Sequence, residues 1–425
     1  MAIELIVGLF FLLTLLGVPI AFSIAAASAV YMLTSGTPWM VAGQRMVSGA
    51  NSFPLLAAPL FMLAGTIMNA GGIMGRLLHL SDTVIGHVRG GLAQVNVLSS
   101  LLMAGMSGSA TADAAGQGAT MIPAMKKSGY PAPLSAVVTA SSSVIGPIFP
   151  PSVPFVIYGS VAQVSIGQLF IGGVLPGVVM TLLLILTVYL MSRRGNYRTR
   201  ERFIASDFFR ALRIAALDLL LPVIIVGGIV GGIFTPVEAA AIAVFYALFL
   251  ELVIFRQLKL AQLPGILLSA AKMTSMIMFV IAVSNVFGWI LIRENFSGML
   301  VSGLLSITSD PLILRCLVVI LLVLLGLVIE TVVLIILIAP ILLSLAPALM
   351  MDPIHLGVTV VFSAMLGLIT PPVGLCMFLV NSIAGISVGT YTKAVLPYFA
   401  ALLFAAFVIA LVPGLTVWLP SLLMR

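Results

Sequence analysis

The chain has 425 residues, of which 62% are hydrophobic and only 7% charged. Soluble domains carry about 25% charged residues, so this composition excludes a soluble globular protein and describes a polytopic membrane protein. The net charge of +7 does not point to nucleic acid, because seven of the 19 basic residues fall between Arg193 and Arg213, as a cytoplasmic loop requires under the positive-inside rule.

Apolar runs of helical length recur from end to end, and period-two alternation is absent, which argues against an outer-membrane barrel. The fold class is all-α. The first stretch, "MAIELIVGLFFLLTLLGVPIAFSIAAASA", has the small residues of a signal-peptide cleavage site. It lacks a basic start, carries Glu4, and has apolar runs on both sides of Pro19, so it reads as two retained crossings, 3–18 and 19–34. A crossing over 54–70 and an amphipathic segment over 72–88 follow. Residues 90–127 form an apolar hairpin, 131–162 a helix interrupted by Pro150-Pro151, and 167–191 a closing helix. A basic cytoplasmic loop over 192–213 ends the first half. The second half repeats this order at 214–234, 236–255, 264–292, 295–308, 312–350, 354–384 and 393–420.

The repeat is visible in register. Gly146, Ile148, Pro150, Pro151, Leu175 and Pro176 match Gly367, Ile369, Pro371, Pro372, Leu396 and Pro397 at an offset of 221, and Ser160, Ala162, Ser165 and Gly167 match Ser382, Ala384, Ser387 and Gly389 at 222. The hairpins are too short to cross twice, since one helical crossing needs about 20 residues. They read as re-entrant loops with small or polar tips. An odd number of crossings per half inverts the second repeat. Arg89, Lys126 and Lys127 flank the first hairpin and Asp310 and Asp352 the second, which puts the first opening inside and the second outside. Arg256, Lys259 and Lys393 then also fall inside, with Arg45, Arg293 and Arg425 as outside exceptions and both termini external. The expected organisation is repeat 1–213, with scaffold helices to about 88 and a transport part over 89–191, and repeat 214–425, with scaffold to about 308 and a transport part beyond.

Breaking a helix in lipid frees carbonyls that lipid cannot satisfy. Paired discontinuous helices in inverted repeats are the layout of secondary transporters, where freed carbonyls coordinate Na⁺ and half-helix N-termini face an anion. The other reading of the prolines is a pair of structural kinks. The first tip, Ser107-Gly108-Ser109-Ala110-Thr111-Ala112-Asp113, offers hydroxyls, close backbone approach and a carboxylate. Asp113 is either a cation ligand or a helix-start charge satisfying free amides. Glu330 and Thr331 hold the comparable place in the second tip, and an ionisable residue within the membrane is a functional candidate. Ser141-Ser142-Ser143 serves tight helix packing or cation ligation. "FTPVEAAA" (Phe234 to Ala241) has a local explanation as a capping box, with Thr235 as N-cap and Glu238 at the third helical position. Lys272 snorkels, makes a helix contact or meets a substrate carboxylate. His79, His87 and His355 are scattered, and Cys316 and Cys376 imply neither a disulfide framework nor a metal site. No nucleotide loop, catalytic triad or zinc helix motif is present, so the chain is not read as an enzyme.

The segments "GMSGSATADAAGQG", "GPIFPPS", "GIFTPVEAAA" and "GLITPPVG" together resemble the large membrane subunit of tripartite ATP-independent periplasmic (TRAP) transporters, the DctM-like family, over essentially the whole chain. The resemblance implies an elevator-type, Na⁺-driven importer of organic acids, of C4-dicarboxylate or sialic acid type, in a bacterial inner membrane. It implies two partners, a small four-helix membrane subunit and a soluble periplasmic substrate-binding protein. Without an N-terminal four-helix extension the chain looks like the unfused form. Carried over by position, the Na⁺ region falls on Ser107, Gly108, Ser109, Asp113, Ser143 and Gly146, and on Gly326, Glu330, Thr331, Gly367, Thr370 and Gly374. The substrate region falls on Ser109, Thr111, Pro150 and Pro151, and on Thr331, Pro371 and Pro372. The motifs do not fix which oxygen binds what. A carrier of the same fold that takes substrate directly is the alternative. A channel is disfavoured by breaks in both halves, and an intramembrane hydrolase by the lack of His in either central segment.

If the prolines keep carbonyls free for Na⁺, Pro371→Ala with Pro372→Ala lets the helix re-form. Membrane insertion should stay near normal while Na⁺-dependent uptake is lost. Normal uptake by this double variant would reduce the prolines to kinks.

Overall fold

The computed structural model describes residues 3–194, 197 and 202–424, and helices account for nearly all of them. The first half contains α1 (Ile3–Leu15), α2 (Ile20–Ser35), α3 (Trp39–Ala50), α4 (Ala57–Ala70), α5 (Ile73–Ile85), α6 (Gly91–Ser107), α7 (Ala110–Lys127), α8 (Ala132–Ser143), α9 (Val153–Ala162) and α10 (Ile166–Met191). The second contains α11 (Ala205–Val230), α12 (Pro236–Phe249), α13 (Leu263–Arg293), α14 (Phe296–Ile307), α15 (Pro311–Gly326), α16 (Thr331–Leu349), α17 (Pro353–Met365), α18 (Leu375–Ala384), α19 (Val388–Leu411) and α20 (Gly414–Leu423). Seven helices among the described residues are long and apolar enough to cross a membrane.

Each half follows the expected order: a hairpin (α6–α7, α15–α16), a broken helix (α8–α9, α17–α18) and a closing helix (α10, α19). Both Pro-Pro bonds, Pro150-Pro151 and Pro371-Pro372, are cis. Four features depart from the sequence reading. Helix α3 was not expected, because Gly43, Gln44 and Arg45 interrupt its apolar character; it lies mostly exposed and packs on α13. Helix α11 begins inside the basic stretch taken as loop, so Arg210 and Arg213 ride on its first turns. Helix α12 ends in a π-helical turn, Leu250–Ile254. The closing segment of the second half divides at Pro413 into α19 and α20, since proline there removes a donor.

Side-chain oxygens start many of these helices: Ser109 caps α7, Ser152 caps α9, Ser165 caps α10, Asp310 caps α15, Asp352 caps α17 and Ser387 caps α19. Each accepts an amide that has no partner within the helix. The first hairpin is also fixed internally by a buried polar network. Asn96 Nδ2 donates to Thr139 Oγ1 at 2.7 Å, Ser100 Oγ donates to Gln117 Oε1 at 2.6 Å, and Gln117 Nε2 donates to the Asn96 carbonyl at 2.8 Å and to Ser99 Oγ. These bonds tie α6 to α7 and α8.

The halves interlock. Helix α18 packs against α7 and α8 of the first half, while α9 packs against α16 and α17 of the second. Lys126 at the base of α7 donates to the Ala384 carbonyl at the end of α18, at 3.0 Å. Gln117→Leu keeps the volume of this contact region but removes three of the network's bonds. It should lower stability by about 1–3 kcal/mol, read as thermal unfolding of the purified protein; an unchanged melting temperature would show the network to be dispensable.

Candidate functional site

Both hairpin tips rest on the broken helices, and glycine makes the approach possible. Gly108 turns the first tip at φ 58°, and a Cβ there would stand 2.9 Å from the Pro151 carbonyl oxygen. In the second half the backbones meet more closely still: a Cβ on Gly367 would collide with the carbonyl of Gly326. Small residues at both tips are therefore required by contact between tip and break.

Around the first tip, Ser109 Oγ accepts the Ala112 amide at 3.4 Å and lies 3.3 Å from Thr111 Oγ1. The helix start is thus capped by Ser109, not by Asp113. Asp113 is 1% exposed, and neither of its carboxylate oxygens accepts a hydrogen bond of ordinary geometry, although the Ser107 hydroxyl lies close enough to interact with it. It faces Gly146, where a Cβ would strike its Oδ2, and Ser107 and Cys376 are its neighbours. Ser143 is buried, and its hydroxyl donates to the Ala140 carbonyl at 2.8 Å. Cys376 belongs to α18, so the surroundings of this carboxylate come from both halves. Lipid and protein interior alike penalise an unpaired carboxylate.

The second tip differs. Glu330 is the N-cap of α16, accepting the Val332 amide at 3.0 Å and the Val333 amide at 3.3 Å. In the 221 register it corresponds to Ser109, while the position of Asp113 is held by Leu334. Thr331 is buried beside it. In the second break Thr370 Oγ1 donates to the Leu366 carbonyl at 3.0 Å, the Gly374 amide donates to the Thr370 carbonyl at 3.1 Å, and Tyr391 of α19 donates to the Ile369 carbonyl at 3.1 Å. In the first break Ser152 Oγ donates to the Pro147 carbonyl and accepts the Phe155 amide at 3.2 Å.

The two breaks are not equally enclosed. Pro150 and Pro151 are buried, whereas Pro371 is half-buried and Pro372 exposed. Pro154, Ile157 and Tyr158 of α9 are buried; their counterparts Leu375, Phe378 and Leu379 of α18 are 39%, 48% and 37% exposed. The first break is closed in and the second is open along one face.

Among the other sequence candidates, "FTPVEAAA" forms the capping box in full, with Thr235 N donating to Glu238 Oε2 at 2.8 Å and Glu238 N to Thr235 Oγ1 at 3.3 Å. Lys272 is exposed on α13, away from both breaks in sequence and in no salt bridge among the described residues. His355 is buried between Thr416 and the Ala410 carbonyl. Sequence reasoning missed a buried charge cluster, Arg76 with Asp218 and Glu251. Its signal was three isolated charges in apolar segments, which must find one another in a membrane interior.

The fold is that of membrane transporters. The solved YdaH transporter of Alcanivorax borkumensis superposes with a TM-score of 0.62, covering 90% of this chain and 88% of that one at 15% identity. MtrF of Neisseria gonorrhoeae superposes with a TM-score of 0.60, covering 90% and 84% at 15% identity. Sequence narrows the class to a family. The model of the tripartite ATP-independent periplasmic transporter DctM component matches residues 7–415, and the chain belongs to that family. It is 40% identical over 407 residues to the sialic acid TRAP transporter large permease protein SiaM of Vibrio cholerae, covering 96% of this chain and 95% of that one. It is 36% identical over 377 residues to the C4-dicarboxylate large permease protein DctM of Pseudomonas aeruginosa, covering 89% and 88%. It is 35% identical over 408 residues to the 2,3-diketo-L-gulonate large permease protein YiaN of Escherichia coli, covering 95% of each. The chain is therefore a multi-pass inner-membrane transporter subunit and not an enzyme.

Gly367→Ala should disturb the contact between second tip and second break, destabilising by about 1–3 kcal/mol as overpacking does. Gly389→Ala, where nothing lies within 4 Å of the added Cβ, should be neutral. Equal melting temperatures for the two variants would contradict the contact.

Proposed function

We propose that this chain is the large membrane subunit of a Na⁺-coupled, binding-protein-dependent secondary importer of organic acids. One observation carries the coupling: the Asp113 carboxylate is buried with no hydrogen bond of ordinary geometry to satisfy it, the Ser107 hydroxyl nearby, and it lies beside Gly146 in a helix break. A hard monovalent cation among oxygens of tip and break would satisfy it, and Na⁺ suits oxygen donors as soft metals do not. Ser107, Ser109, Ser143 and Gly146 supply the surrounding oxygens in this reading. In the second half Gly326, Thr331, Gly367, Thr370 and Gly374 form the corresponding region, with Glu330 capping the helix beside it.

The relatives named for sialic acid, C4-dicarboxylates and 2,3-diketo-L-gulonate share a carboxylate and a polar body, which favours an organic acid as cargo. It would sit between the tips and the paired prolines, near Ser109, Thr111, Pro150, Pro151, Pro371 and Pro372, where half-helix N-termini favour an anion. The two halves act as inverted repeats. Residues 89–191 and 309–425 move as a transport part against a scaffold of 1–88 and 214–308, in an elevator motion. Unequal enclosure of the two breaks supports a resting state closed at the first and open at the second. A small four-helix subunit enlarges the scaffold and a soluble periplasmic protein delivers the acid.

Proteoliposomes holding the chain with its small subunit and binding protein should accumulate radiolabelled sialic acid or succinate under an inward Na⁺ gradient. Choline in place of Na⁺ should abolish accumulation, and omitting either partner should leave little. Asp113→Asn should weaken apparent Na⁺ affinity by about tenfold or more, since losing a charge beside a buried cation costs at least ~1.4 kcal/mol. Undiminished uptake in choline would end the Na⁺ reading; full uptake by the chain alone would favour direct substrate binding.

A further inference from the structure

The transport reading leaves one buried charged cluster unused. Arg76 of α5 donates from Nε to Asp218 Oδ2 at 2.6 Å and from Nη2 to Asp218 Oδ1 at 2.9 Å. Nη2 also donates to Glu251 Oε1 at 2.5 Å, and Nη1 to the Gly71 carbonyl at 3.0 Å. The Arg76 side chain is 8% exposed and both carboxylates are 0% exposed. The Phe255 ring lies 3.8 Å from the guanidinium carbon. Asp218 belongs to α11 and Glu251 to the π-helical turn after α12, so one arginine joins three scaffold elements.

The joint is shaped for these groups. A Cβ on Gly71 would overlap the Glu251 carboxylate, and one on Gly72 would overlap Gln257 Oε1. The Gly71–Gly72 turn that enters α5 is therefore filled by side chains of the scaffold. The exit from α5 runs through Gly86, Gly90 at φ 100° and Gly91 at φ 37° into the first hairpin, and Gly90 is held from that side: a Cβ there would stand 2.9 Å from Val188 of α10, and its carbonyl accepts from Tyr130 at 2.6 Å. Helix α5 packs on α11 along one side and on α6 along another. Its counterpart α14, "FSGMLVSGLLSI", has no charged residue, and none of its described side chains is buried. The chain entering α14 is instead held from outside the helix, by Tyr31 on Glu294 and by Arg293 on Thr37, so the two connectors are tied in different ways. A buried ion triad adds little net stability over an apolar trio, but a bidentate arginine fixes geometry.

We infer that Arg76 is a positioning residue for transport: with Asp218 and Glu251 it clamps the entrance of α5 to the scaffold, so the first hairpin swings about the Gly86–Gly91 exit. The inference rests on the elevator reading. An unclamped α5 would move with the hairpin, and the swing would lose its fulcrum. Substrate and Na⁺ would still meet an intact tip and break.

The test uses the reconstituted complex with equal organic acid and Na⁺ on both sides, so that exchange reads the motion without a gradient. The label is whichever of sialic acid or succinate the wild type carries. Arg76→Gln should slow exchange by about tenfold or more while half-saturating Na⁺ and substrate stay within about twofold, the pattern of a lost rate without lost binding. The charge swap Arg76→Asp with Asp218→Arg should recover a substantial part of the rate. Wild-type exchange in Arg76→Gln, or joint loss of rate and Na⁺ affinity, overturns the inference. Should Arg76→Gln fail to reach the membrane, Glu251→Gln keeps the bidentate Asp218 pair. It should slow exchange by about threefold with unchanged half-saturation, and wild-type kinetics there would equally overturn the clamp. Na⁺-independent exchange by the wild type sinks only the coupling proposed above, because the comparison of variant with wild type still reads the motion.

Discussion

Lipid offers a peptide carbonyl no partner, so a helix can be broken within the membrane only where protein closes over the break. That constraint organises the centre of this molecule. Pro150-Pro151 and Pro371-Pro372 each lie in the break between two helices, and the groups set free are taken up nearby: Pro147 by Ser152, Leu366 by Thr370, Ile369 by Tyr391. The hairpin tips then close onto the same segments, with glycine at the points of nearest approach. Tip and break are consequently one unit, and an altered tip changes the break that it covers.

The interlocking of the halves brings two such units against each other. Helix α18 lies on the arms of the first hairpin and the first broken helix, and α9 lies on the second hairpin and second broken helix. Asp113 thus has neighbours from both repeats, although every motif around it belongs to the first. The same arrangement leaves an asymmetry. The apolar face of α9 is covered and that of α18 is partly bare, so two nearly equivalent segments are held in different packing environments.

Rigidity is also distributed unequally. The first hairpin is held along its length by hydrogen bonds among Asn96, Ser99, Ser100, Gln117 and Thr139, whereas the corresponding arms of the second, "LILRCLVVILLVLLG" and "TVVLIILIAPILLSL", are almost wholly aliphatic and are joined at the base by Arg315, which donates to the Leu349 and Met350 carbonyls. Hydrogen bonds in a low-dielectric interior fix orientation; aliphatic contacts are weaker individually and tolerate sliding. The Arg76 cluster adds a directional joint at the start of α5, before the first hairpin, and Tyr31 with Glu294 and Arg293 with Thr37 tie the chain just before α14.

Much of this was legible in the chain itself. Composition fixed the membrane class, proline and glycine marked hairpins and breaks to within a few residues, and the in-register repeat set the order of elements. These signals are local, because breakers and caps act on their own turn of helix. Local logic also gave the Thr235–Glu238 capping box correctly. It could not choose between cation ligand and helix charge for Asp113, because that depends on whether Ser109 already serves the amides and on what faces the carboxylate. It favoured Glu330 as a functional group and did not show that the same side chain caps α16. It gave no pairing for Arg76, Asp218 and Glu251, which are 142 and 175 residues apart in the two pairings. Hydrophobic sequence specifies that a helix is buried but not against which neighbour, since apolar contact is non-directional. The pairing of α18 with the first hairpin, the exposure of its outer face and the isolation of the Asp113 carboxylate were therefore decided only when the two halves packed together.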